Sequence, residues 1–135
     1  MKLTKAQKEK IKQIAQKYNL KLVLLFGSQV SGYLNRESDV DIAFLPSKKL
    51  TFKQDYTLNY EFTNVFGTDK VDTVNLKTAP PLLMKQIIDN CQILYQLKPM
   101  VFDYFEAYAR QRYQEAAPLF EMTEKAIKRF VGLPT

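Results

Sequence analysis

The sequence predicts an α/β (α+β) domain, and three observations predict it. Apolar residues switch between a helical period and a strand period along the chain. Two threonines, Thr4 and Thr51, each have a glutamine three residues later, the pattern that opens a helix. Short β-rich runs (LKLVLLF, SDVDIAFL, VDTVNL and CQILYQL) separate the helical stretches.

The elements follow in order. Thr4-Lys5-Ala6-Gln7 forms a capping box, and Leu3, Ile11, Ile14, Ala15 and Tyr18 recur at helical spacing, which predicts a helix over 4–18 that stops at Asn19. Leu20 to Phe26 is an apolar run ending at Gly27 and reads as a buried strand. Ser28 to Leu34 reads as a short helix or turn. Ser38 to Leu45 alternates, with Asp39, Asp41 and Ala43 on one face and Val40, Ile42 and Phe44 on the other, and Pro46 ends it. Thr51 to Gln54 is a second capping box, opening a helix to Phe66 that Gly67 stops. Val71 to Leu76 is a third strand whose Asp72, Val74 and Leu76 share a face. Pro80-Pro81 opens a helix to Asn90, and Cys91 to Leu97 is a fourth, edge strand. Pro99 starts a helical stretch to Val131, which Pro118 is expected to kink or split.

The 135 residues fit one domain, and 46% hydrophobic with 25% charged residues is an ordinary globular composition. No apolar run approaches the roughly 20 residues that span a bilayer, and the N-terminus has no signal-peptide apolar region. A cytoplasmic location is expected. The chain has no histidine and one cysteine, Cys91. Serine–histidine and cysteine–histidine catalysis, histidine-bound zinc and an internal disulfide are therefore excluded. Any catalysis rests on carboxylates, hydroxyls, lysines or a metal with oxygen ligands, for which Mg²⁺ is the usual ion. The net charge of +6 is local: residues 1–26 hold seven lysines and one acid, and the rest holds thirteen bases and thirteen acids. That flank is either a surface for a polyanion or acidic protein, or a solvated helix face.

The chemistry concentrates in Leu24 to Pro46, LLFGSQVSGYLNRESDVDIAFLP. A strand delivers Gly27-Ser28, a short helix or turn follows, and a second strand presents Asp39 and Asp41. Gly27 has no side chain, so a phosphate can approach the backbone closely. The amides after it are expected at a helix N-terminus, which favours anions, and the Ser28 hydroxyl adds a donor. Asp39 and Asp41 project to one face of a strand, where two like charges call for a cation between them. Asp72 is the third carboxylate, joining the cluster if its strand pairs beside the Asp39–Asp41 strand.

Gly27-Ser28, ten residues, then Asp39-x-Asp41 resembles the signature of the nucleotidyltransferase superfamily that includes DNA polymerase beta. The following segments, VDTVNL, Ala79-Pro80-Pro81-Leu82-Leu83, Ile93-Leu94-Tyr95 and the C-terminal helix, resemble its minimal nucleotidyltransferase branch, whose members act as antitoxins of HEPN ribonuclease toxins. The resemblance implies a small mixed twisted sheet flanked by helices, with one domain over 1–135: a core over 1–97 and a helical extension over 98–135. It implies Gly27 and Ser28 at the nucleotide, two Mg²⁺ ions on Asp39, Asp41 and Asp72, and AMP transfer from ATP to a hydroxyl, typically a tyrosine, of a partner HEPN toxin. In-line attack on the α-phosphate would expel pyrophosphate. The chain departs from many members at Ser31, where they carry arginine before the second glycine, and at Asn75, where they carry a further acid; the latter favours Asp72 as third ligand.

Other residues read more plainly. Ser38 orders the turn before Asp39; Arg36 and Lys77 read as surface charges. Tyr104, Tyr108 and Tyr113, mixed with Phe102, Phe105 and Phe120, read as core or interface, and Cys91 as a buried small apolar residue. Two other functions stay open: a module that neutralises a partner by contact with residual nucleotide binding, and a transferase for a small molecule or an RNA end. A homodimer is also open; a membrane is excluded and direct nucleic-acid binding is not expected.

Overall fold

The computed structural model describes residues 2–27 and 40–132. Helix α1 spans Lys5–Lys17, strand β1 Leu20–Phe26 and β2 Val40–Pro46. Helix α2 spans Phe52–Phe66, strand β3 Val71–Asn75, helix α3 Pro81–Asp89, strand β4 Cys91–Gln96 and helix α4 Val101–Val131. The expected segment over Ser28 to Leu34 lies outside the described residues.

Both capping boxes form. The Thr4 hydroxyl accepts from the Gln7 amide at 3.1 Å while the Gln7 side chain accepts from the Thr4 amide at 3.0 Å. Thr51 and Gln54 repeat the exchange at 3.1 and 2.9 Å. Gly67 closes α2 in the left-handed conformation, and Asn19, with φ 54°, turns the chain into β1.

The sheet order is β3-β2-β1-β4, with β4 at an edge as expected. β1 is antiparallel to β2 and β4, and β2 runs parallel to β3 through the α2 crossover. Pro46 lies within β2, not after it, opposite Leu20. It sits at the strand end beside a register shift, where a missing amide costs least. Leu76 extends the β3 ladder by one bond, its amide donating to the Phe44 carbonyl at 2.8 Å.

The sheet separates two apolar clusters. On one face, Val40, Ile42 and Phe44 of β2 meet Ile11 and Ile14 of α1 and Leu58 and Phe62 of α2. On the other, Leu22, Leu24 and Ala43 meet Leu76, Met84, Ile87 and Ile88 and, from α4, Phe105 and Ala109. The faces of β2 are those its alternation predicts. The 98–135 segment thus contributes to the interior through its first half.

α4 is one continuous helix through Pro118, not two. Proline removes a single i→i−4 bond, that to the Gln114 carbonyl, and the turns on both sides hold. The helix starts near the Lys21 and Leu45 end of the sheet, where the Phe102 amide donates to the Gln96 side chain at 3.2 Å. It runs back to the opposite end, where Arg110 meets Asp89 at 3.0 Å, two residues before β4 begins. Among the described residues no helix is long and apolar enough to cross a membrane.

Candidate functional site

The site is assembled by sheet register at one end of the strands. β1 finishes there with Phe26, opposite Asp41, and Gly27 follows directly. β3 starts there, and the parallel ladder sets Asp72 beside Asp41. The two carboxylates therefore occupy neighbouring strands on the face that also carries Ala43 and Leu76. Asp41 is buried, at 4% exposure, whereas Asp72 is exposed. A buried carboxylate is costly to the fold unless its charge is compensated; it is the pairing with Asp72 at one strand end that makes Asp41 a candidate for chemistry.

Gly27 has two reasons to be glycine. Its φ is 79°, and a β-carbon there would overlap the Asp41 carboxylate, lying 3.0 Å from Asp41 Cγ. The sequence reading assigned this glycine to phosphate approach; the geometry adds that the Asp41 side chain itself needs the space. Ser28 and Asp39 lie outside the described residues, as do Ser31, Arg36 and Ser38. Of the five site residues expected, Gly27, Asp41 and Asp72 are described, and they converge.

Asn59 is a neighbour that the sequence reading missed. From the middle of α2 its amide donates to the Val71 carbonyl and to Thr73 Oγ1, both at 3.1 Å. These bonds pin the edge strand on either side of Asp72. A polar residue on the flank of an otherwise apolar helix face was the available signal. Asn75 is engaged elsewhere: its side chain accepts from the Lys77 amide at 2.9 Å in the turn after β3. Lys77, beyond that turn, stands at the opposite end of β3 from Asp72. Cys91 is half-buried, and burial, then the Glu106 charge, pushes its thiol up to about 11, so it is a poor nucleophile.

Asp41 and Asp72 offer hard oxygen donors side by side, the set that suits Mg²⁺. Among the described residues they form a pair, and no group of three or more potential ligands occurs. A hollow of about 290 Å³ between α1 and α2, lined by Lys10, Lys17 and Glu61, lies on the other sheet face and has no part in this site.

Residues 9–99 match the family described as Polymerase beta, Nucleotidyltransferase. The chain belongs to this nucleotidyltransferase family. Over 69 residues it is 35% identical to the protein adenylyltransferase MntA of Shewanella oneidensis, a match covering 51% of this chain and 49% of that protein. The chain thus spans about half the length of the curated relative it matches. A chain of a toxin–antitoxin crystal structure with AMP-PNP superposes with a TM-score of 0.73 at 24% identity, over 89% of this chain and 98% of that one. A chain from the complex of tri-AMPylated Shewanella oneidensis HEPN toxin with MNT antitoxin does so with a TM-score of 0.69 at 22% identity, over 90% and 96%. These likenesses show the fold: a polymerase beta-like nucleotidyltransferase sheet with helices on both faces.

Proposed function

We propose that this nucleotidyltransferase domain, 1–135 acting as one unit, transfers AMP from ATP to a tyrosine hydroxyl of a HEPN toxin and so acts as its antitoxin in the cytoplasm. The observation that carries the reading is the Asp41–Asp72 pair against Gly27 at one strand end. The MntA match and the toxin–antitoxin complexes supply the acceptor class.

In this reading Asp41 and Asp72, with Asp39, hold Mg²⁺, which when bound neutralises triphosphate charge and lowers the pKa of the attacking hydroxyl. Gly27 and Ser28 are the nucleotide-binding pair of this reading, backbone amides being suited to a phosphate. Asp41, held in place by β1 and β3, fixes the triphosphate end; Asp72, facing solvent, is the carboxylate that an incoming hydroxyl can meet and give its proton to. The acceptor oxygen bonds to the α-phosphorus as the α–β bridging bond breaks, and pyrophosphate leaves. Positioning and charge stabilisation provide most of the rate.

The test is ATP titration by calorimetry with and without Mg²⁺, on the native chain and on Asp39→Asn/Asp41→Asn, followed by mass spectrometry of a HEPN toxin incubated with each. The reading requires Mg²⁺-dependent ATP binding and an added AMP mass, both lost in the variant. Undiminished toxin neutralisation by the variant would instead establish the contact mechanism.

A further inference from the structure

We infer that the second half of α4 is the docking arm for the acceptor protein, and that it brings the acceptor to the Asp41–Asp72 end of the sheet. This rests on the transferase reading above. The packed part of α4 ends near Tyr113, whose ring carries Lys85 Nζ at 5.0 Å. From there the helix continues for 18 residues, 114–131, or about 27 Å at 1.5 Å per residue. Its direction is set by Phe102 at the far end of the sheet and Arg110 at the site end, so the arm projects past the end where Gly27, Asp41 and Asp72 converge.

The arm is apolar on the side that faces the core further back. At 3.6 residues per turn, Phe130 stands seven turns beyond the buried Phe105 on the same side, and Leu119 lies close to that line. Leu119 is 63% exposed, Met122 67% and Phe130 92%. The Lys128–Glu124 ion pair on the arm, at 3.1 Å, stays within the helix. A helix of this length has little stability of its own in water, and a side chain as large as Phe130 gains from cover.

Charge and area decide the occupant. Residues 114–131 hold three acids and three bases, so the arm has no net charge to draw a nucleic acid. The lysine excess sits on α1 and β1, and α1 packs on the opposite sheet face. One side of a 27 Å helix offers roughly 500 Å². Two arms paired together would bury about 1,000 Å² in total, below the roughly 1,200–2,000 Å² of a stable interface. A protein that lies along the arm and also enters the site reaches that range.

The experiment compares the native chain with Leu119→Glu/Met122→Glu/Phe130→Glu and with the milder Leu119→Ala/Phe130→Ala, using purified HEPN toxin as the probe. Helicity and thermal midpoint are checked first; all three side chains are exposed, so both should match the native chain. The expected result is unchanged ATP affinity, toxin binding weakened at least about 30-fold, and a parallel loss of AMP transfer. Asp41→Asn/Asp72→Asn should keep the toxin complex and lose Mg²⁺-dependent ATP binding and transfer. Native toxin affinity in both arm variants overturns the inference. So does a native dimer, by light scattering, that the arm variants break while toxin binding persists. A toxin complex that the arm variants break, but onto which the native chain transfers no AMP, sinks the transferase reading and leaves the docking arm standing. Absence of any native complex sinks both.

Discussion

On one face of the sheet, α1 and α2 each begin at a threonine whose hydroxyl closes a capping box. On the other, α3 and α4 begin at Pro80 and Met100 with no side-chain cap, and Met100 holds a φ of 77° that costs a non-glycine residue about 1–2 kcal/mol. The first face carries the lysine excess and closes over Phe44 and Phe62. The second carries Asp41 and Asp72 at its end and sends an apolar helix out past them. Both uncapped starts lie at the Leu45 end of the sheet, away from the carboxylates, so what sets the second face apart is the other end, where Asp41 meets Asp72 and α4 runs on past the strands.

If the faces divide the labour this way, damage to each should read out differently. Phe62→Ala removes a fully buried ring from the first face. It should cost about 3–5 kcal/mol of stability by denaturant titration, while the ATP affinity of the remaining folded chain stays put. A matching loss of affinity would show that the faces are coupled.

The converse substitution is Asp41→Asn with Asp72→Asn. Removing two adjacent like charges should leave the thermal midpoint unchanged or higher, and lower AMP transfer by about 10²–10³-fold. A collapse of stability instead would make the pair a folding element and would end its claim to catalysis.

What the sequence displayed follows the same division. Thr4, Thr51 and Gly67 were legible because a cap is a local event, written within four residues. The alternation of Val40 to Phe44 was legible because one face of a strand is one face of a core. The meeting of Asp72 with Asp41 was conditional, since it depends on which strand pairs with which and in what register. Asn59 shows in the sequence only as a polar residue on the flank of an apolar face; its partners, Val71 and Thr73, lie 12 and 14 residues away and depend on the same pairing. The contact that makes Gly27 obligatory also comes from another strand. Pro118 does not split α4, since a propensity cost of about 3 kcal/mol yields inside a helix of 31 residues.

Thr51→Ala tests the capped face with a smaller perturbation. The hydroxyl satisfies the Gln54 amide, and its loss should lower stability by about 1 kcal/mol. α2 carries Asn59, so the same variant asks whether an N-terminal fray reaches β3. Undisturbed AMP transfer would confine the damage to the first turn, whereas reduced transfer at full occupancy of ATP would show that α2 positions Asp72.

The smallest effect expected is one of pH, again on the first face. Burial, then a hydrogen bond to Glu61 and its charge, pushes the Tyr18 phenol from 10.0 up to about 12. Lys17 stands over the same ring at 5.6 Å and meets Glu61 at 3.2 Å. Between pH 10 and pH 12 the folded chain keeps a phenol proton that the unfolded chain releases, so unfolding sheds a proton and stability falls as pH rises. The contribution is fully present below pH 10 and is lost on passing pH 12. The native slope alone does not isolate one group. The difference between native chain and Tyr18→Phe isolates the phenol: the variant should show the shallower fall in thermal midpoint from pH 9.5 to 11.5. Identical slopes would mean that the phenol keeps its proton no better folded than unfolded, and that the Tyr18–Glu61 contact is made to solvent in both states.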